Sequence, residues 1–138
     1  MAFSVSAKDL TLTDCPPVVQ DAIKKNSRDG KLDDVKTHTM DGRTTYVAEI
    51  DLSKDRDLKL FISSEGVLQK YRESATLSDV PAVVRDVIKN LTPAGAKVDD
   101  IDKEVADGKT VYDVEIDREK DPDIKVIIAE DGTILSQK

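Results

Sequence analysis

The sequence predicts an α+β fold of two tandem repeats, each with one helix followed by four antiparallel strands, and with the helices packed on one face of the sheet. Three observations support this. A segment of the chain recurs about halfway along it. Each copy opens with apolar residues at spacings of three and four, which is the period of a helix, and then changes to alternating apolar and polar residues, which is the period of a strand. A chain of 138 residues can bury its own core. We therefore expect a single compact domain, 1–138, made of repeat one, 12–71, and repeat two, 77–138.

The recurrence is visible by direct comparison of the chain with itself. The stretch LTDCPPVVQDAIK at 12–24 returns as LSDVPAVVRDVIK at 77–89, and DGRTTYVAEID at 41–51 returns as DGKTVYDVEID at 107–117. Recurrence on this scale is typical of two copies of one supersecondary unit.

Each repeat opens with a helix. A proline lies in its first turn, where the missing N–H costs no hydrogen bond, and Asp14 and Asp79 are expected as the cap or as a first-turn acid. Gly30 and Gly95 are expected just past the helix, at positive φ. Apolar residues at spacings of three and four form the buried stripe of the second helix: Val80, Val84, Val87, Ile88 and Leu91.

Strands follow each helix. Tyr46 begins an alternation whose apolar members should face the core, and Tyr112 does the same in the second repeat, so both tyrosines should have matching surroundings. The pairs Asp41-Gly42 and Asp107-Gly108 are typical of tight hairpin turns. The outer face of these strands is then left for solvent or a partner.

Composition excludes several classes of function. With 28 acidic and 21 basic residues the formal charge is −7, which disfavours nucleic acid as a partner. The apolar runs are too short to span a membrane, so a soluble protein is expected. Residues 1–7 lack a secretory signal, which predicts an intracellular chain or a mature form with an added Met.

Acidic residues are concentrated in the second repeat. Residues 12–71 contain 10 basic and 11 acidic residues, whereas 77–138 contain 9 and 15. One hypothesis is an acidic patch for a basic partner on the outer face, made of Asp102, Glu104, Asp113 and Glu115. The alternative is cross-strand pairing, with Glu49 opposite Lys59 and Glu115 opposite Lys125.

Two acidic loops suggest a metal as an alternative function. Each has the spacing D-x-x-x-D-x-D, and calcium prefers clustered carboxylate oxygens. The competing interpretation is a solvated hairpin whose charges prevent pairing with other chains. The candidate ligands are Asp51, Asp55, Asp57, Asp117, Asp121 and Asp123.

Phe61 and Ile127 lie on the outer face by alternation. They form either an exposed apolar band for a partner or second subunit, or a surface covered by the segment 3–12. Both interpretations remain open at this point.

The residues that carry chemistry are few. Cys15, a lone cysteine, is expected as a small buried hydrophobe at the helix start, and His38 as a surface histidine. The sequence lacks a paired nucleophile and base, a phosphate-binding loop and a metal-ligand motif. We therefore expect neither an enzyme nor a cofactor.

The motifs resemble the PepSY-like family in its tandem form. The resemblance is carried by Val80-Pro81, by Asp107-Gly108-Lys109, by YDVEI at 112–116 and by Asp131-Gly132. It implies a fold similar to tandem-repeat β-lactamase inhibitory proteins, an extracytoplasmic location in the periplasm or outside the cell, and a non-catalytic role in binding or inhibiting a protein partner. The residues alone leave the cytoplasm, the partner's identity and the oligomeric state open.

Overall fold

The structure is a computed structural model that describes residues 9–138. Its regular structure consists of two α-helices and antiparallel strands, which confirms the α+β class. The chain divides into unit 1, Met1–Arg72, and unit 2, Glu73–Lys138.

Unit 1 places its helix before four long strands, with a short strand ahead of the helix. The elements are β1 Asp9–Leu10, a 3₁₀ turn Leu12–Asp14, α1 Pro17–Asn26, β2 Lys31–Met40, β3 Arg43–Leu52, β4 Arg56–Ser63 and β5 Leu68–Ser74. The strands lie side by side in chain order. Short turns join β2 to β3, β3 to β4 and β4 to β5, which favours this arrangement. β1 to β4 pair antiparallel.

Unit 2 has a closely similar order of elements. They are α2 Ala82–Leu91, β6 Lys97–Ala106, β7 Lys109–Asp117, β8 Ile124–Ala129 and β9 Ile134–Gln137. These four strands also follow chain order and pair antiparallel.

The predicted hairpin turns are confirmed. Asp41 and Gly42 have φ of 53° and 75°, and Asp107 and Gly108 have φ of 52° and 72°. Two consecutive left-handed residues match the twist of the flanking strands, which is why Asp-Gly suits this turn. The turn fixes the register of each hairpin, with Met40 opposite Arg43 in the first.

Each helix covers one face of its own unit's strands. In unit 1 the buried α1 residues Val19, Ala22 and Ile23 belong to one cluster with alternate residues of β2, β3 and β4. In unit 2, Val84 and Ile88 of α2 do the same against β6, β7 and β8. Tyr46 and Tyr112 each pack against the core of their own unit, as expected.

The prediction that Asp14 and Asp79 cap the helices is wrong. The N-cap residues are Pro16 and Pro81, and neither helix has an acid in its first turn. The Asp14 carboxylate instead accepts hydrogen bonds from the Thr11 backbone N–H at 3.0 Å and from the Thr11 hydroxyl at 2.9 Å. Asp79 accepts the equivalent bonds from Thr76. The acid therefore closes the turn that precedes the helix.

The prediction of positive φ is confirmed for Gly95, at 84°, and wrong for Gly30. The left-handed residues after α1 are Arg28 and Asp29, so the reversal occurs before the glycine. Gly30 is required for another reason, because a Cβ there would lie 2.5 Å from the Ile50 side chain. Close approach of the loop to β3 thus explains this glycine.

Candidate binding surface

The candidate surface is the strand face opposite the helix in each unit, here called the outer face. Alternation along β2 to β4 and β6 to β8, together with the strand register, arranges its residues in three cross-strand rows. In unit 1 the rows are Lys36–Val47–Phe61, Asp34–Glu49–Lys59 and His38–Thr45–Ser63. In unit 2 they are Asp102–Asp113–Ile127, Asp100–Glu115–Lys125 and Glu104–Val111–Ala129.

The structure brings the four acids of the predicted patch onto one surface. Asp102 lies directly opposite Asp113, and Glu104 and Glu115 occupy the rows on either side. All four side chains are half-buried. The row therefore concentrates negative charge on the outer face of unit 2.

The predicted cross-strand pairs are confirmed. Glu49 lies opposite Lys59, with the ammonium 3.6 Å from the carboxylate, and Glu115 lies opposite Lys125. The Lys59 and Glu49 side chains are 44% and 36% exposed, so the Lys59–Glu49 pair contributes only about 0.2–1 kcal/mol. Pairing and an acidic patch coexist in unit 2, because Lys125 faces only one of several acids.

A repeated irregularity adds acids that the sequence analysis missed. Between Leu32 and Asp34, and between Val98 and Asp100, the register shifts by one residue. In each unit the shift brings three carboxylates within 4.8 Å of one another, Asp33, Asp34 and Glu49 in unit 1 and Asp99, Asp100 and Glu115 in unit 2. A bulge places two successive residues opposite one, which explains the convergence. The doubled Asp-Asp in otherwise alternating strands is the signal that was available in the sequence.

The crowding of acids in unit 2 has an electrostatic consequence. A hydrogen bond with the Asp123 side chain, followed by desolvation, raises the pKa of Glu115, and the charges of Asp123 and Asp99 raise it further. The positive charge of Lys125 lowers the pKa of Glu115, against these effects. Glu115 therefore ionises at a cost, which a nearby cationic group would reduce.

Among the described residues, the candidate calcium ligands of either loop do not converge as a group of three. Asp51 lies opposite Asp57, and Asp55 is an exposed turn residue with φ of 59°. Burial, and then the charge of Asp51, raise the pKa of Asp57. Within residues 9–138, the converging carboxylate groups do not include Asp51, Asp55, Asp57, Asp117, Asp121 or Asp123. The calcium alternative receives no support from this geometry.

Phe61 and Ile127 both lie on the outer face and are half-buried. Phe61 is opposite Val47, which is only 5% exposed, and the Lys70 ammonium lies 4.5 Å from the Phe61 ring centroid. Ile127 is opposite Asp113. The segment 3–12 was the alternative cover for these two residues, and its part 3–8 lies outside the described residues.

Cys15 and His38 lie where the sequence analysis placed them. Cys15 is 4% exposed within the core of unit 1, and burial, followed by the nearby Asp14 charge, raises the pKa of its thiol. A protonated thiol is a poor nucleophile. His38 is exposed on the outer face, opposite Thr45.

These observations define a class of small α+β proteins in which a helix covers one face of an antiparallel strand layer and the other face carries the variable charge. The family model described as beta-lactamase-inhibitor-like, PepSY-like matches the chain twice, over residues 3–70 and 71–136. The chain belongs to this family. The resemblance drawn from the motifs is confirmed, as is its tandem form.

Solved structures share the fold. A DUF2874 family protein from Bacteroides uniformis ATCC 8492 is 20% identical, with a TM-score of 0.70 over 90% of this chain and 88% of that one. A BLIP-like protein from Bacteroides fragilis NCTC 9343 is 17% identical, with a TM-score of 0.65 over 90% and 85%. At such identities the likeness concerns the fold alone. A comparison with curated proteins finds no match.

A similar structure from Bacteroides eggerthii DSM 20697, 16% identical with a TM-score of 0.71 over 90% of this chain and 88% of that one, is described as periplasmic. In the part of the chain that the structure describes, neither helix has the length and apolar composition needed to cross a membrane.

Proposed function

We propose that this chain is a non-catalytic, protein-binding module of PepSY-like type, which binds a basic segment of a partner on the outer face of unit 2. The observation that carries the proposal is the row Asp102–Asp113–Ile127, flanked by Glu104 and by the Asp100–Glu115 pair. This surface combines clustered acids with an apolar side chain. A Lys- or Arg-bearing partner would be attracted by the negative charge and would cover the isoleucine.

The family supports binding over catalysis. Its members are described as beta-lactamase-inhibitor-like, and an inhibitor acts by occupying a surface of its target. The reactive groups of this chain agree with that role, because the Cys15 thiol is buried and protonated and His38 lies alone among the outer-face rows. We propose binding as the activity, with inhibition as its consequence where the covered surface is an active site.

The architecture and location are part of the proposal. We propose that 1–138 forms one domain of two tandem helix-plus-four-strand repeats, 12–71 and 77–138, and that it works outside the cytoplasm. The double family match and the periplasmic description of a similar structure support this.

Electrostatics should govern the encounter with the partner. The outer face of unit 2 presents five acidic side chains and one basic side chain in its three rows. Long-range attraction raises the association rate of a basic partner and weakens with salt, because the Debye length is about 8 Å at physiological ionic strength. Ile127 would supply the apolar contact that charge alone lacks.

The test is a titration with a defined Lys- and Arg-rich peptide, followed by calorimetry. The variant D102N/E104Q/D113N/E115Q removes four charges from the outer face of unit 2. The control D21N/D86N/E119Q/E130Q removes four exposed charges elsewhere. We expect the face variant to raise the dissociation constant by about tenfold or more and the control to change it little. Equal losses in both variants, or no binding by the parent, would contradict the proposal.

A further inference from the structure

The outer face of unit 2 carries most of its acids along one strand. Alternate residues of β6 form a column that runs along this face, here called the acidic column: Asp100, Asp102 and Glu104. Successive members of such a column lie about 6.7 Å apart, so the column is about 13 Å long. The corresponding residues of β2 in unit 1 do not share one sign: Asp34, Lys36 and His38. The column of like charge therefore distinguishes unit 2 from unit 1.

Apolar side chains occupy the other side of the same face. Val111 of β7 lies opposite Ala129 of β8, and Ile127 is the next outer-face residue along β8. All three are half-buried, and together they are here called the apolar corner. Lys125 occupies the far end of β8, opposite Glu115. Neighbouring strands lie about 4.8 Å apart, which places β8 about 10 Å from the acidic column, so the face presents two chemistries side by side.

We propose that the partner segment bound by this face is an amphipathic helix that lies along the strands, with its basic side over the acidic column and its apolar side over the apolar corner. A helix is about 10 Å across, so two adjacent stripes of one helix reach both parts of the face. Basic residues four apart on a helix are separated by about 6 Å, close to the spacing within the acidic column. An extended strand presents a single line of side chains and would reach only one of the two parts. The inference rests on the proposed function, because it specifies the partner of the same face.

Charge complementarity places the basic side of the helix over β6. Three of the five acids in the rows of unit 2 belong to the acidic column, and Asp113 and Glu115 lie beside it on β7. The attraction depends on the summed charge of these groups, so it persists where a single carboxylate has an interaction of its own within the chain. Lys125 repels a basic stripe from the β8 side. A helix with basic and apolar residues mixed around its circumference would lose one of the two contacts.

The test compares three synthetic peptides of identical composition, built from Lys, Leu and Ala, in calorimetric titrations of the full chain. In the first peptide Lys and Leu form adjacent stripes at helical spacing, in the second they alternate at the period of a strand, and in the third their order is scrambled. We expect the first peptide to bind about tenfold or more tightly than the others. We also expect it to become helical on binding, as measured by circular dichroism. Equal or tighter binding of the alternating peptide would overturn the inference.

Substitutions in the chain test the orientation of the helix. D100N/D102N/E104Q should weaken binding of the first peptide by about tenfold, and should hardly affect a version of that peptide with Gln in place of Lys. I127S should weaken both versions by the same factor, because the apolar contact does not depend on the charges. The matched control D86N/E119Q/E130Q removes three exposed charges outside the face and should bind like the parent.

The thermal transition of each variant checks its folding, and the comparison of the three peptides on the parent chain decides the inference should a variant unfold. Equal binding of all three peptides would overturn the inference and leave the proposed function standing. If none of the three peptides, nor the Lys- and Arg-rich peptide, binds the parent, the proposed function and the inference are both overturned.

Discussion

Unit 1 and unit 2 bury matching apolar residues in their cores and carry different residues on their outer faces. On the inner faces, Ile50 corresponds to Ile116 and Ile62 to Ile128, and all four are at most 1% exposed. On the outer faces, Lys36 corresponds to Asp102. Core packing requires a given volume at a given place, whereas an outer position requires only a side chain compatible with a strand. The difference between the two repeats is therefore concentrated on their outer faces.

The largest expected effect concerns the cores. Ile62→Ala and Ile128→Ala each remove a buried side chain that is fully inaccessible to solvent. We expect each to lower the free energy of unfolding by about 2–5 kcal/mol, with similar values in the two units. Denaturant titration measures both. If one substitution is nearly neutral, the two cores are not equivalent and the comparison fails.

A swap of outer residues should have a smaller and asymmetric effect. Val47→Asp places a carboxylate at a position that is 5% exposed, and we expect a loss of about 1–3 kcal/mol. The reciprocal Asp113→Val removes one member of a like-charged pair and should change stability by less than about 1 kcal/mol. The same denaturant titration compares the two. Equal losses would mean that the outer faces share one structural requirement.

The smallest effect concerns pH. Because the pKa of Glu115 is raised in the folded chain, the folded state holds its proton at a pH where the unfolded state has released it. This carboxyl therefore makes the chain less stable as pH rises from the ordinary value of 4.5 through the raised pKa. Glu115→Gln should remove that decline. Unfolding midpoints from about pH 4 to about pH 7 test this, and a steeper decline in the variant would reverse the sign.

Local signals in the sequence predict much of this fold. The alternation around Tyr46 and Tyr112 predicts the strands, and the Asp41-Gly42 turn fixes the β2–β3 hairpin with Met40 opposite Arg43. These features depend on residues close in sequence, which is why they are predictable.

The missed features depend on contacts between distant residues. Gly30 is required by its approach to Ile50, which no local pattern indicates. The bulge before Asp34 shifts the strand by one residue and gathers three carboxylates, whereas strict alternation separates Asp33 from Asp34. For the same reason the loop spacing around Asp55 suggested a calcium site that the folded loop does not assemble.

The central claim is that the outer face of unit 2 is the binding surface. Backbone amide shifts, followed by NMR during titration with a Lys- and Arg-rich peptide, test it most directly. We expect perturbations concentrated on β6, β7 and β8, around Asp102, Asp113 and Ile127, that diminish as salt is added. Perturbations confined to the helices, or spread evenly over both units, would contradict the claim.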